Sequence, residues 1–191
     1  MKASASKDRS LLRHSGKAVV FENSADLARR VDDPNLSVSK DSVLVLKSIG
    51  PIGNPGMPEA GVIPIPRKLG AQGVQDMLRI SDGRMSGTAG GTIVLHVSPE
   101  SAVEESVFGI VQDGDTITLN VEERVLQLEV SEEEIQRRVA ERKKAKSGQD
   151  GEQQQVKTEK RKRGYRGLYE RCVNQAEHGA DFDFLTAAGP Q

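Results

Sequence analysis

The 191-residue sequence predicts an α+β domain, a β-barrel-like sheet with flanking helices. Roughly six or seven short runs rich in Val, Ile and Leu lie between Gly- and Pro-rich loops. Roughly three or four further segments carry helical spacing or helix caps. The two kinds do not alternate regularly enough for a doubly wound parallel sheet.

Lys17–Glu22, with Ala-Val-Val-Phe at its centre, reads as the first strand. Asn23 or Ser24 caps a helix over Ala25–Val31, and Asp32-Asp33-Pro34-Asn35 ends it. Ser42–Lys47 is a second strand, apolar enough for burial on both faces. The Gly- and Pro-rich stretch Gly50–Glu59 cannot be regular structure and ends in a carboxylate. Pro64–Gly73 predicts a short helix, Met77–Ser81 a third strand and Thr92–Val97 a fourth.

Ser98-Pro99-Glu100 reads as a helix start running to Val107, followed by a strand at Phe108–Val111 and a turn at Asp113-Gly114-Asp115. Thr116–Val121 and Arg124–Val130 have strand alternation, and Ser131-Glu132-Glu133-Glu134 is a capping box opening a helix to Lys144. Tyr165, Leu168, Tyr169, Val173 and Ala176 recur at helical spacing with Gly179 as a stop, and Asp181–Leu185 reads as an extended tail. The expected organisation is a tail at 1–14, a main domain at 15–143, a charged linker or insertion at 144–163, and a docking helix with its tail at 164–191.

Composition narrows the function classes. Apolar residues make up 36% and aromatics 3%, without Trp, so the core must come from Val, Ile, Leu and Ala. The net charge of -1 gives no global field favouring nucleic acid or a membrane surface. The charged stretch Lys144–Arg163 has no interleaved aromatics and carries several acids, which argues against nucleic acid there too. No apolar run of about 18 residues exists to span a membrane, and Met1–Arg13 lacks the apolar core of a secretory signal. The single cysteine, Cys172, can neither close an internal disulfide nor by itself hold zinc or an iron–sulfur cluster. An intracellular, cytoplasmic setting is expected, with a mitochondrial one open.

Two loops carry candidate chemistry. One ends at Glu59, and a carboxylate there can bind a hard cation or act as acid or base. The other, Arg79–Thr92, holds Ser86 among glycines just before the apolar run Ile93–Val97. It reads either as a strand-entry turn without chemistry or as a loop presenting Ser86 to a substrate. His14, His96 and His178 have no metal-ligand spacing, and His96 in its apolar run is expected to be a satisfied core histidine. Neither a Gly-x-Ser-x-Gly elbow nor a Gly-x-x-x-x-Gly-Lys phosphate loop occurs.

The same residues carry a resemblance. Gly50-Pro51, Gly53, Pro55-Gly56-Met57-Pro58-Glu59, then Arg79-Ile80-Ser81-Asp82, Arg84-Met85-Ser86-Gly87-Thr88, Val94-Leu95-His96-Val97 and Pro99-Glu100 resemble, in order, the dihydroxy-acid dehydratase / 6-phosphogluconate dehydratase family. The likeness continues through Asp113-Gly114-Asp115, Arg163-Gly164-Tyr165 and Gly179-Ala180-Asp181. Arg-Met-Ser-Gly-Thr-Ala is most similar to the sugar-acid dehydratases within it.

The resemblance implies the family's C-terminal domain, a swivelling β/β/α type of barrel, and loss of water from a 2,3-dihydroxy or sugar acid to give a 2-keto acid. It implies Ser86 as the base for the C2 proton, Glu59 as a Mg²⁺ ligand, and Arg84, Gly87 and Thr88 near the substrate. It also implies a [2Fe-2S] cluster whose ligands belong to an N-terminal domain absent from this sequence. The implied partners are that domain or a full-length relative, and a second copy of the chain. The chain departs from the family pattern at Ile52, Gly90 and Glu104-Glu105-Ser106.

Overall fold

Strand β1, Arg13–Phe21, organises the sheet in a computed structural model that describes residues 1–87, 90–148 and 163–185. Its first half, Arg13–Lys17, pairs antiparallel with β5, Thr116–Asn120. Its second half, Ala18–Phe21, pairs parallel with β2, Val43–Leu46. One strand therefore joins a parallel block to an antiparallel one. Gly16 sits near the changeover, where an added Cβ would lie 2.1 Å from the Asp41 carbonyl oxygen, so a side chain there would block the approach of that loop.

Beyond β2 come β3, Arg79–Ser81, and β4, Ile93–Val94, both parallel to their neighbours. Beyond β5 lies antiparallel β6, Val125–Leu128. The order β4-β3-β2-β1-β5-β6 forms one curled six-stranded mixed sheet, a half-barrel with flanking helices, as the α+β expectation requires.

Alternation along β1 and β2 divides the core between the two faces. Ala18, Val20, Val43 and Val45 join Leu78, Ile80, Phe108, Val111, Ile117 and Leu119 on one face. Val19, Phe21, Leu44 and Leu46 pack on the other, under α1 (Ser24–Arg30) and α2 (Arg67–Gly70). The parallel strands are covered on both sides, which explains their unbroken apolar runs.

Asn23 caps α1, its side-chain oxygen accepting the Asp26 amide at 2.9 Å. Helix α3, Glu132–Gly148, begins at the expected cap, with the Glu134 amide donating to Ser131 Oγ at 3.3 Å. It outruns the expected end at Lys144, and residues 149–162, most of the expected linker, lie outside the described residues. Among the described residues, no helix is long and apolar enough to cross a membrane.

Several elements differ from expectation. The polar N-terminus forms short 3-10 turns at Ala3–Ala5 and Arg9–Leu12 and enters β1 at Arg13. Pairing with β5, rather than apolar content, makes that half of β1 a strand. The Met77 and Thr92 strands shrink to β3 and β4. The segment from Ser98 to Val107 is not a helix, because its polar groups bond to other parts of the chain. Ser101 donates to Asp82, and Arg142 donates to the Val103 carbonyl at 2.8 Å.

Phe108–Ile110 is a 3-10 turn instead of a strand. Helix α4, Gly164–Cys172, stops before Gly179 because the chain doubles back: Val173 bridges Phe182, and Tyr169 packs edge-on against Phe182 at 5.5 Å. Asp183–Leu185 forms a 3-10 turn in place of an extended tail.

Candidate functional site

Three loops leave the C-terminal ends of parallel strands β2, β3 and β4, the edge at which open parallel sheets bind ligands. Two buried carboxylates tie them together. Asp82, 0% exposed, accepts the Ile49 amide at 3.0 Å and the Ser101 amide at 2.9 Å, so it joins all three loops. Glu100, 1% exposed, accepts the Ile52 and Gly53 amides, each at 2.8 Å, and Gln175 Nε2 at 3.0 Å. Gln175 Oε1 in turn accepts the Glu100 amide at 2.7 Å, fastening the segment after α4 to the same cluster.

The Glu59 and Ser86 loops run side by side. The Gly61 amide, two residues past Glu59, donates to the Arg84 carbonyl, two residues before Ser86, at 2.7 Å. A Cβ on Gly61 would meet that carbonyl oxygen at 2.8 Å, so the close approach needs glycine.

Ser86 is half-buried and lines a cavity of about 270 Å³ with Met85, Gly87, Gly91, Leu95 and His96. Glu59, Arg84 and Gly87 are exposed, and Glu59 and Arg84 stand outside the lining of that cavity. Thr88 lies outside the described residues.

His96 corrects an expectation. Its side chain is exposed rather than buried in the core, because the chain leaves β4 at Val94 and turns to a left-handed φ of 56° at His96. The His96 amide donates to the Gly83 carbonyl at 3.1 Å, which anchors this residue to the Ser86 loop. Partial loss of solvation, then the N-terminal ammonium and Arg84, hold its imidazole below the usual histidine value.

Asp76 braces the base of the Ser86 loop. It accepts the Lys7 amide at 2.9 Å, Thr92 Oγ1 at 2.8 Å and Arg79 Nη2 at 2.9 Å. Burial pushes its carboxyl up, but these bonds and the Thr92 amide outweigh burial and hold it below the ordinary carboxylate range. Glu105 of the Glu104-Glu105 departure points elsewhere: it pairs with Lys143 at 2.7 Å and borders a separate apolar cleft with Phe108 and Leu128.

Sequence reasoning missed Asp82, Glu100 and Asp76 as organisers. Asp82 read as part of a polar loop and Glu100 as helix-start residue. Only burial reveals them, since most of their partners, backbone amides and side chains alike, lie far away in the chain.

The donor set fits part of what the family resemblance implies. Among the described residues, no group of three His, Cys, Asp or Glu side chains comes together to hold a metal ion. Glu59 is accessible and can supply one hard oxygen to Mg²⁺. A [2Fe-2S] cluster does not fit: it takes four protein ligands of which Cys is the usual kind, and the single cysteine, Cys172, is half-buried on α4.

Comparison with known proteins places the chain among dehydratases by sequence. The chain is 48% identical to 6-deoxy-6-sulfo-D-gluconate dehydratase of Pseudomonas putida over 98% of its own length and 30% of that protein's. It is 43% identical to L-arabinonate dehydratase of Rhizobium leguminosarum, covering 92% of the chain and 28% of the relative. It is 37% identical to the mitochondrial dihydroxy-acid dehydratase of Aspergillus fumigatus, covering 88% and 27%. The chain thus spans less than a third of the length of each of these relatives. Residues 1–180 match the family described as dihydroxy-acid/6-phosphogluconate dehydratase C-terminal, and the chain belongs to that family.

Proposed function

We propose that this chain is the C-terminal part of a sugar-acid dehydratase, converting a 2,3-dihydroxy acid to a 2-keto acid and inactive without an N-terminal cluster-binding part. The pairing of the Glu59 and Ser86 loops through Gly61 and Arg84 is the observation that carries this reading. Ser86 takes the C2 proton from within its cavity. Arg84, Gly87 and Thr88 bind the anionic acid. Glu59 would give one oxygen ligand to Mg²⁺, which when bound would stabilise the charge that builds on the carboxylate and C2 oxygen. The other metal and cluster ligands come from the missing part. The higher identity to relatives named for sugar acids favours that substrate class over branched-chain precursors. An intracellular, cytoplasmic location suits a cluster enzyme.

A second reading rests on the exposure of Glu59 and on the lack, among the described residues, of a multi-ligand metal group. In it the chain is a non-catalytic module that pairs with a full-length relative or with itself.

The test is anaerobic reconstitution with the N-terminal part of a relative, iron–sulfur cluster and Mg²⁺, offering L-arabinonate and 6-deoxy-6-sulfo-D-gluconate. Keto-acid formation that disappears in Ser86→Ala supports the dehydratase. A well-assembled complex that forms no keto acid from any aldonate leaves the second reading.

A further inference from the structure

We propose that His96 is the proton acceptor for the Ser86 hydroxyl, so that the two form a serine–histidine pair across their shared cavity. The inference deepens, and rests on, the dehydratase reading.

Three observations carry it. Ser86 and His96 line the same cavity of about 270 Å³. The fold holds His96 there by backbone: its left-handed φ of 56° and its amide bond to Gly83 turn the residue out of the β4 line, and the Val97 amide returns to the Ser81 carbonyl at 3.2 Å. A non-glycine residue in that conformation is strained, and such strain collects at functional positions. Finally, the imidazole is exposed to the cavity rather than consumed in the core.

Chemistry supplies the need. A serine hydroxyl is a weak base at neutral pH until another group takes its proton. A neutral imidazole is the side chain suited to that task. Arg84 is the charged side chain acting on His96, and it favours the neutral ring.

The protons balance. The Ser86 proton passes to a ring nitrogen of His96, and the alkoxide takes the C2 proton of the acid. The C2–H electron pair becomes the C2=C3 bond as the C3–O bond breaks. The imidazolium returns its proton to the departing oxygen, which leaves as water. The enol then tautomerises to the keto acid, with Ser86 and His96 restored.

The first test needs no turnover. Imidazole ¹⁵N spectra of the 191-residue chain are followed through a pH titration for wild type and Ser86→Ala. Removal of the hydroxyl is expected to change the His96 tautomer balance and move its titration midpoint by about half a unit. An unchanged His96 spectrum overturns the pair.

The second test uses the reconstituted enzyme. His96→Gln is expected to lower kcat about 100-fold with little change in KM. Added imidazole is expected to restore part of the rate to His96→Gly. Undiminished kcat in His96→Gln, or no rescue, overturns the role. If wild type makes no keto acid, the dehydratase reading falls, while the spectra still decide whether the two residues are coupled.

Discussion

The Gly61 amide and the Arg84 carbonyl meet at 2.7 Å, and this one backbone bond sets the Glu59 loop alongside the Ser86 loop. The two loops are far apart in sequence and leave different strands, so their alignment depends on this contact and on the buried carboxylates behind it.

Gly61→Ala should therefore separate the loops. The new methyl has backbone on its far side, with the Arg84 carbonyl carbon at 3.1 Å as well as the oxygen, and neither can swing away as a side chain would. The expected cost is about 1–3 kcal/mol in urea unfolding. Keto-acid formation should fall further than stability alone explains. A variant with wild-type stability and turnover would show that the bond positions nothing.

Glu100→Ala should loosen the same edge from behind. It strips the Ile52 and Gly53 amides of their acceptor and Gln175 of its partner. A loss on the order of 2 kcal/mol or more is expected. Amide hydrogen exchange at Ile52 and Gly53 should accelerate, which locates the effect in the loop rather than in the sheet.

Ser86→Ala should leave the fold intact, because the side chain is half-buried in a loop outside both core clusters. In the reconstituted enzyme kcat should fall about 10²–10⁴-fold. Thermal melting of the variant beside wild type separates a chemical loss from a structural one.

Acid should weaken the domain through Asp76. Its folded carboxyl titrates below the ordinary value of 3.8, so the folded state holds fewer protons than the unfolded one as that group titrates. The stabilisation is complete above the unfolded value and disappears as pH falls through the folded one. Asp26 adds to the same window: burial raises it, but Arg30, the Glu22 amide and Arg29 outweigh burial and lower it. Asp76→Asn should be less stable at neutral pH and show a flatter decline below about pH 4. Urea midpoints measured across that range check both.

His96 should produce a separate step. Its folded value is depressed from 6.5, so stability is complete above that pH and declines below it. His96→Gln should remove the step while leaving the Asp76 decline in place.

The sequence alone determined the strands whose apolar runs are long enough to be buried on both faces, the Asn23 and Ser131 helix caps, and the turn at Gly114. Each depends on near neighbours and on backbone preferences written into a few adjacent residues. Sequence order also singled out Glu59 and Ser86 as the residues to watch, through the family they resemble. Only the tertiary structure decided that polar Arg13–Lys17 is a strand, since its hydrogen-bond partners lie in β5. It likewise turned the expected helix after Pro99 into a loop, because Asp82 and Arg142 bind that segment's polar groups from outside. It moved His96 from the core to the cavity of Ser86. These outcomes rest on partners distant in the chain, where a buried carboxylate or a paired strand outweighs local propensity.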